Sequence, residues 1–299
     1  MSLAPVRVMY GHLEGTEGKF ARDPSGYLSI DTGIYRKYGL EVSWQHVQGT
    51  EERYHRLEDG RADISLVVGR ASLQHFLDSR TTRILGCAMN SCPYYLVAQP
   101  SIESWEDFEG KIVACREGPL RNTRVAEMFS ERRQLTVGES LQLELPNSDQ
   151  EAFGRLIQGK VHAALLPRPY GLMAEEKGFR RMPDWPDVVD DPLPITIETT
   201  ERLLRERETD FDVFLAAHRQ GLQYLKSHRA ETIRMLESRF AHSPGLAGKT
   251  FDDYLVCLDE ELKVDFNRFE KLLSQVAPEA PGGASRVADD WIVPGALRR

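Results

Sequence analysis

Four cysteines in 299 residues, Cys87, Cys92, Cys115 and Cys257, are too few and too scattered for a disulfide-built fold. None forms a Cys-x-x-Cys pair and no histidine stands beside them at metal-ligand spacing, so no metal site is assigned. In an exported chain Cys87 and Cys92 could form a disulfide; free, partly buried thiols are the simpler expectation. Long apolar runs are missing as well: none approaches the ~18 residues of a membrane span. The first residues, Met-Ser-Leu-Ala-Pro-Val-Arg-Val, lack the basic region and apolar core of a secretory signal. The expected location is therefore periplasmic or membrane-anchored if a signal has been removed, and cytoplasmic otherwise. Positive charge is not in excess, since 38 basic against 46 acidic residues leave a net charge of −8. That argues against nucleic acid as a partner. The densest basic stretch, Arg202–Arg207, is interleaved with Glu201, Glu206 and Glu208 and reads as a solvated helix face. No glycine-rich phosphate loop, HExxH or nucleophile elbow occurs, so no catalytic residue and no cofactor is assigned.

What is present is alternation of strand and helix patterns. Val6–Tyr10 predicts a first strand ended by Gly11, and the polar stretch His12–Pro24 a loop. Tyr27–Tyr38 predicts a helix stopped by Gly39, Leu40–Trp44 a strand, Glu51–Asp59 a helix stopped by Gly60, and Ala62–Val68 a buried strand. Gly69-Arg70-Ala71-Ser72 opens a helix to about Ser79. Strands follow at Ile84–Met89 and Tyr94–Ala98, around a turn at Asn90-Ser91-Cys92-Pro93.

The pattern restarts near Pro100 with a helical turn capped by Ser104 and the strand Ile112–Cys115. A helix from Asn122 or Thr123 to about Arg133 comes next, then the strand Leu141–Leu145. A helix capped by Asp149 and stopped by Gly159 precedes the strand Val161–Leu166. Leu57–Ile64 (LEDGRADI) is echoed by Leu156–Ala163 (LIQGKVHA), so two similar lobes are expected. The expected fold class is α/β, with mixed, mostly parallel sheets and helices on both faces. Lobe one comprises 1–98 plus 192–299, lobe two 99–191, with a ligand cleft between them. Beyond the strand Ile195–Ile197, Phe211, Phe214, Leu215, His218, Leu222 and Leu225 form one helical stripe. Helices at Ala230–Phe240 and Asn267–Val276 lead to a flexible linker, Pro278–Ser285, and a docking tail, Trp291-Ile292-Val293.

In open parallel sheets ligands bind beyond the carboxyl ends of the strands, where helix N-termini aim their N–H groups. That rule selects Tyr10-Gly11-His12, Gly69–Ser72, Asn90-Ser91, Arg116–Thr123 and Arg168. Three of these segments carry arginine, whose planar fork suits carboxylate, sulfonate or phosphate. Arg70 is favoured because it follows a buried strand and a glycine directly; the alternative for each arginine is a surface ion pair. His12 is a polar contact, a general base or a solvated loop residue. Tyr10 is a stacking surface or a core residue, and Cys115 a nucleophile or a small core side chain.

Gly26-Tyr27-Leu28, Gly33–Val42 (GIYRKYGLEV), Gly60–Ile64 (GRADI) and Ser104–Lys111 (SWEDFEGK) together give the chain a wider likeness. It resembles the periplasmic binding protein type II superfamily, in the branch that binds nitrate, sulfonates, taurine and thiamine precursors. The resemblance implies a two-lobe clamp closing over a solute, with hinges near Val97–Pro100 and Pro192–Thr199. It implies ligand contacts from Tyr10, His12, Gly69, Arg70, Gly118, Arg121, Asn122 and Thr123; Asn90, Arg116 and Arg168 complete the expected set. The implied role is the solute-binding protein of an ABC-type transporter, holding a small anionic or polar organic molecule, aromatic ones included. A membrane permease would be its partner, and the chain itself a monomer or weak dimer. The His12–Pro24 stretch is longer than the corresponding loop of the family and would form a lid. The same fold also hosts cytosolic decarboxylases and lyases acting on aromatic or small carboxylates, the alternative function; the cysteine-rich iron motif of the pyrimidine-precursor synthase is absent.

Overall fold

A computed structural model describes residues 3–11, 23–47, 49–67, 69–116, 125–131, 134–183 and 190–298, apart from the side chains of residues 91, 93, 190 and 191. The chain divides into two compact units. Unit one holds Met1–Ser91, Pro192–His242 and Phe251–Arg299; unit two holds Cys92–Asp191 and Ser243–Thr250.

Unit one begins with β1 (Ala4–Tyr10), α1 (Ser25–Asp31), α2 (Ile34–Lys37), β2 (Leu40–His46), α3 (Thr50–Glu58), β3 (Ile64–Val67) and α4 (Gly69–Ser79). The long strand β4 (Thr82–Ala98) then carries the chain into unit two. There follow β5 (Lys111–Cys115), a helix α5 over residues 125–131, β6 (Leu141–Glu144), α6 (Asp149–Ile157), β7 (Ala163–Pro167), α7 (Arg168–Glu176) and the short β8 (Arg180–Arg181). The strand β9 (Asp190–Thr200) returns it to unit one, where α8 (Glu201–Ser227) and α9 (Arg229–Phe240) follow. Then come α10 (Pro244–Cys257), β10 (Val264–Asp265), α11 (Phe266–Val276), α12 (Gly283–Trp291) and β11 (Leu297–Arg298).

In unit one the strand order is β2-β1-β3-β9, with β1 parallel to β2 and β3 and β9 antiparallel to β3. In unit two it is β4-β7-β5-β6, where β7, β5 and β6 are parallel and β4 runs antiparallel to β7. These are mixed, mostly parallel sheets, as the alternating pattern predicts. Every residue of β3 and of β7 is buried, which is why both strands read as unbroken apolar runs rather than alternating ones. Leu73, Phe76, Ile84, Leu193, Phe269, Leu272 and Trp291 build one core of unit one. Phe108, Val113, Val125, Phe129, Leu141 and Leu165 belong to the core of unit two.

Several elements differ from expectation, each for a physical reason. The helix expected over Tyr27–Tyr38 is broken by Gly33, whose left-handed backbone (φ 70°) separates α1 from α2. The turn expected at Asn90–Pro93 is extended backbone inside β4. Asn90 cannot turn away because its amide donates to Asp259 Oδ2 (2.9 Å) and the Lys263 carbonyl (2.7 Å), and accepts from the Asp265 N–H (2.8 Å). At the start of α6 the cap is Ser148 rather than Asp149: its hydroxyl accepts from the Glu151 N–H at 3.1 Å. At Ser104 the roles are reversed, with Asp107 accepting the Ser104 and Glu103 N–H groups at 2.8 and 2.9 Å. The expected linker Pro278–Ser285 runs into α12, which buries Val287, Ala288 and Trp291, and Trp291 stacks on Phe76 at 5.2 Å.

Candidate functional site

In unit one β1 ends at Tyr10, β2 at His46 and β3 at Val67, and α4 starts at Gly69. Tyr10 is buried, its ring stacked on Trp44 at 5.9 Å and met edge-on by Tyr27 at 5.7 Å. The Tyr10 and Tyr27 hydroxyls touch; burial first, then that contact, raises the Tyr10 phenol's pKa and keeps it neutral. Phe240 packs on Tyr27 at 5.7 Å, and the Arg239 guanidinium, anchored to Asp31, lies 4.9 Å from the same ring. Tyr27 and Trp44 stay half-buried and His46 exposed, so these strands end in an aromatic surface.

Beneath that surface runs a closed hydrogen-bond chain. The Asp23 carboxylate accepts from the Ser25 N–H (2.9 Å) and hydroxyl (2.6 Å) and bonds His218 Nε2 (2.8 Å). His218 Nδ1 in turn meets the Tyr35 hydroxyl at 2.8 Å. Burial alone would raise the Asp23 pKa; His218 and Ser25 outweigh it and hold the carboxyl below its usual range. Arg53, buried on α3, lies against Gly11 at the end of β1: a Cβ there would stand 2.6 Å from its Nη1. Its guanidinium donates to the Val47 carbonyl at 2.9 Å and to Thr50 at 3.2 Å.

Gly69 is confined by packing, since a Cβ would come within 2.6 Å of the Leu193 carbonyl oxygen. Arg70 next to it is exposed, and its guanidinium makes one long contact, 3.4 Å to the Gln275 carbonyl. No acidic residue occupies the first turn of α4, and Arg70 has no carboxylate partner among the described residues.

In unit two Arg116 follows β5 and pairs with Asp149 at 3.3 Å, where the Tyr94 hydroxyl also donates at 3.3 Å. Arg168 opens α7 as a buried side chain whose guanidinium lies 5.3 Å from the Tyr95 ring; that of Arg181 lies 4.4 Å from it. Asn90 is occupied holding the 259–265 segment, as described above. Cys115 is fully buried in the core of unit two, where a nucleophile has no access to substrate. None of the four cysteines is in a disulfide; Cys87 is a core thiol with the Met89 and Ile195 carbonyl oxygens 3.0 and 3.2 Å from its sulfur. His12, Gly118, Arg121, Asn122 and Thr123 lie outside the described residues.

Sequence reasoning missed Tyr27, Trp44 and Arg53, which meet the end of β1 from separate elements, and Phe240, which packs on Tyr27. It also read Arg207 as part of a solvated face. Its guanidinium instead binds Asp63 at 2.8 Å and the Pro5 carbonyl at 2.6 Å, and its backbone (φ −137°, ψ 28°) interrupts the regular helix of α8. His218 on an apolar stripe was the one visible signal of the buried chain.

Two α/β units built on parallel strands with an antiparallel return define the periplasmic-binding-protein type of fold. The NMT1/THI5 like family matches residues 25–232, and the chain belongs to that family. No curated protein matches it in sequence. Among solved structures it is similar to the putative periplasmic sulfonate-binding protein of a sulfonate ABC transporter from Methylobacillus flagellatus: TM-score 0.65, 12% identity, 99% of this chain and 92% of that one. It is similar to the periplasmic aliphatic sulphonate binding protein of Escherichia coli, with TM-score 0.59 and 17% identity over 85% and 84% of the chains. The periplasmic nitrate-binding protein of Synechocystis gives TM-score 0.62 and 11% identity over 97% and 86%. At such identities the likeness is one of fold.

Proposed function

We propose that the chain is the solute-binding protein of an ABC-type transporter, taking a small organic or inorganic anion and delivering it to a membrane permease. Membership of the NMT1/THI5 like family, together with neighbours named for sulfonate and nitrate binding, supports the role. The observation that carries the anionic preference is the β3–α4 junction. There an arginine without a carboxylate partner among the described residues stands in the first turn of an eleven-residue helix that has no acidic residue in that turn. A guanidinium in the first turn of a helix that carries no acidic residue there is a combination suited to an oxyanion. The aromatic surface of Tyr27, Trp44 and His46 in the same unit suits a planar or apolar portion of the solute. A periplasmic location fits this role; among the described residues no helix is long and apolar enough to cross a membrane.

The lyase alternative gains no support from Cys115, which is buried. Calorimetric titration with aliphatic sulfonates, nitrate and aromatic carboxylates tests the proposal. Arg70→Ala is expected to weaken the best anion by about ten- to a hundredfold, the loss of one charge-assisted hydrogen bond. Stabilisation by neutral sugars or amino acids and by no anion would overturn the anionic reading.

A further inference from the structure

Glu198 stands on β9 directly opposite Ser65 of β3 and is fully buried. Its carboxyl has two polar partners: Thr196 Oγ1, 2.7 Å from Oε1, and the Tyr54 hydroxyl, 3.4 Å from Oε2. Thr196 Oγ1 also lies 3.0 Å from the carbonyl oxygen of Val67. A hydroxyl carries one proton, and a carbonyl oxygen can only accept. With Glu198 ionised, one of the two Thr196 contacts would press two acceptor oxygens together in a site closed to water, an arrangement that costs free energy. A proton on Oε1 satisfies all three contacts. Glu198 then donates to Thr196, Thr196 donates to the Val67 carbonyl, and Tyr54 donates to Oε2.

The charges around the carboxyl agree. From α3 come Tyr54 and Arg53, but Arg53 reaches the Val47 carbonyl and Thr50 and makes no bond to Glu198. From α4 comes His75, its ring stacked on Tyr54 at 3.7 Å and its Nε2 3.5 Å from Glu58. Across the ladder β3 offers only the Ser65 hydroxyl. Burial pushes the Glu198 pKa up to about 8, against the opposing pull of Thr196, Tyr54 and Arg53.

Val67 is the last residue of β3 and lies two positions ahead of Gly69, the first residue of α4, so the Val67 carbonyl is held close in the chain to Arg70. We propose that Glu198 is a positioning residue that works as a neutral acid: by donating to Thr196 Oγ1 it turns the Thr196 hydroxyl proton onto the Val67 carbonyl, pinning that carbonyl and with it the start of α4. This assignment needs no ligand; only its consequence for anion affinity rests on the function proposed above.

Carbon-13 NMR of the glutamate side chains in the unliganded full chain tests it, with Glu198 identified by its disappearance in Glu198→Gln. The Glu198 carboxyl carbon is expected at the neutral-acid position at neutral pH, moving to the carboxylate position only in alkaline buffer. Glu198→Gln, which keeps a donor toward Thr196 and an acceptor toward Tyr54, should leave the amide signals of Val67, Gly69 and Arg70 in place. Thr196→Val, which keeps the shape but breaks the relay, should shift all three. An ionised Glu198 at neutral pH, or a Thr196→Val spectrum unchanged at those amides, would overturn the proposal; neither result would bear on whether Arg70 binds anions.

Discussion

Asp63 explains why Gly60–Ile64 ends as it does. Its carboxylate, 1% exposed, accepts the Arg7 backbone N–H at 2.7 Å and two bonds from the Arg7 guanidinium, and Arg207 approaches at 2.8 Å. Burial would raise its pKa, yet these partners outweigh it and hold the carboxyl below its usual range. One side chain thereby ties β1, the turn before β3 and the kink of α8. Removing its charge strands two arginines. Asp63→Asn is expected to cost about 2–3 kcal/mol in urea unfolding, below the 3–5 typical of a fully buried pair because Arg7 can turn to water. A loss under about 0.5 kcal/mol would mean the pair contributes no more than a surface bridge. In the sequence Asp63 shows only as part of a recurring pattern, and Arg207 only as one charge among many. Their pairing depends on residues more than a hundred positions apart coming together, which local composition does not encode.

At the scale of elements, glycine carries much of what was legible. Gly39, Gly60 and Gly159 sit where the pattern puts helix stops, all with positive φ. Gly26 works differently. It lies inside α1, where alanine would favour the helix by about 1 kcal/mol. A Cβ there, however, would stand 2.5 Å from the Trp44 ring, which is itself packed by Tyr10 and His218. Overpacking of this kind costs about 1–3 kcal/mol and should win. Gly26→Ala is thus expected to lower stability by up to about 2 kcal/mol net and to perturb Trp44 fluorescence; a stabilising result would show that the ring can move aside. The elements that sequence patterns misplaced, the extended Asn90–Pro93 and the start of α12, share a cause. Each is settled by partners distant in the chain, Asp259–Asp265 for the first and Phe76 for the second. The candidate site divides the same way. Gly69–Arg70 was legible because strand, glycine and helix are consecutive, whereas Trp44 and Arg53 meet the end of β1, and Phe240 meets Tyr27, only through the fold.

For the whole molecule, the buried carboxyls at Asp23, Asp63 and Glu198 all belong to unit one, and they pull in opposite directions with pH. Asp23 and Asp63 have folded-state pKa values below the ordinary 3.8, so what they contribute is fully present above that pH and is lost as pH falls further. Glu198 is displaced the other way. Between its ordinary 4.5 and about 8 the folded chain keeps a proton that the unfolded chain has released, so stability falls as pH rises through that window and levels off above it. Unit one should therefore show an acid limb governed by the aspartates and a decline toward pH 8 governed by Glu198, which His46 and His75, their pKa values lowered chiefly by burial, oppose below their ordinary 6.5. Scanning calorimetry across pH resolves the two. Glu198→Gln should flatten the decline above pH 4.5 and leave the acid limb intact, while Asp63→Asn should reduce the acid limb and leave the decline. Because the groups are confined to unit one, unfolding followed at Trp105 in unit two should respond to neither substitution wherever the two units melt separately. A Glu198→Gln profile that keeps the wild-type decline would place the responsible proton on some other group.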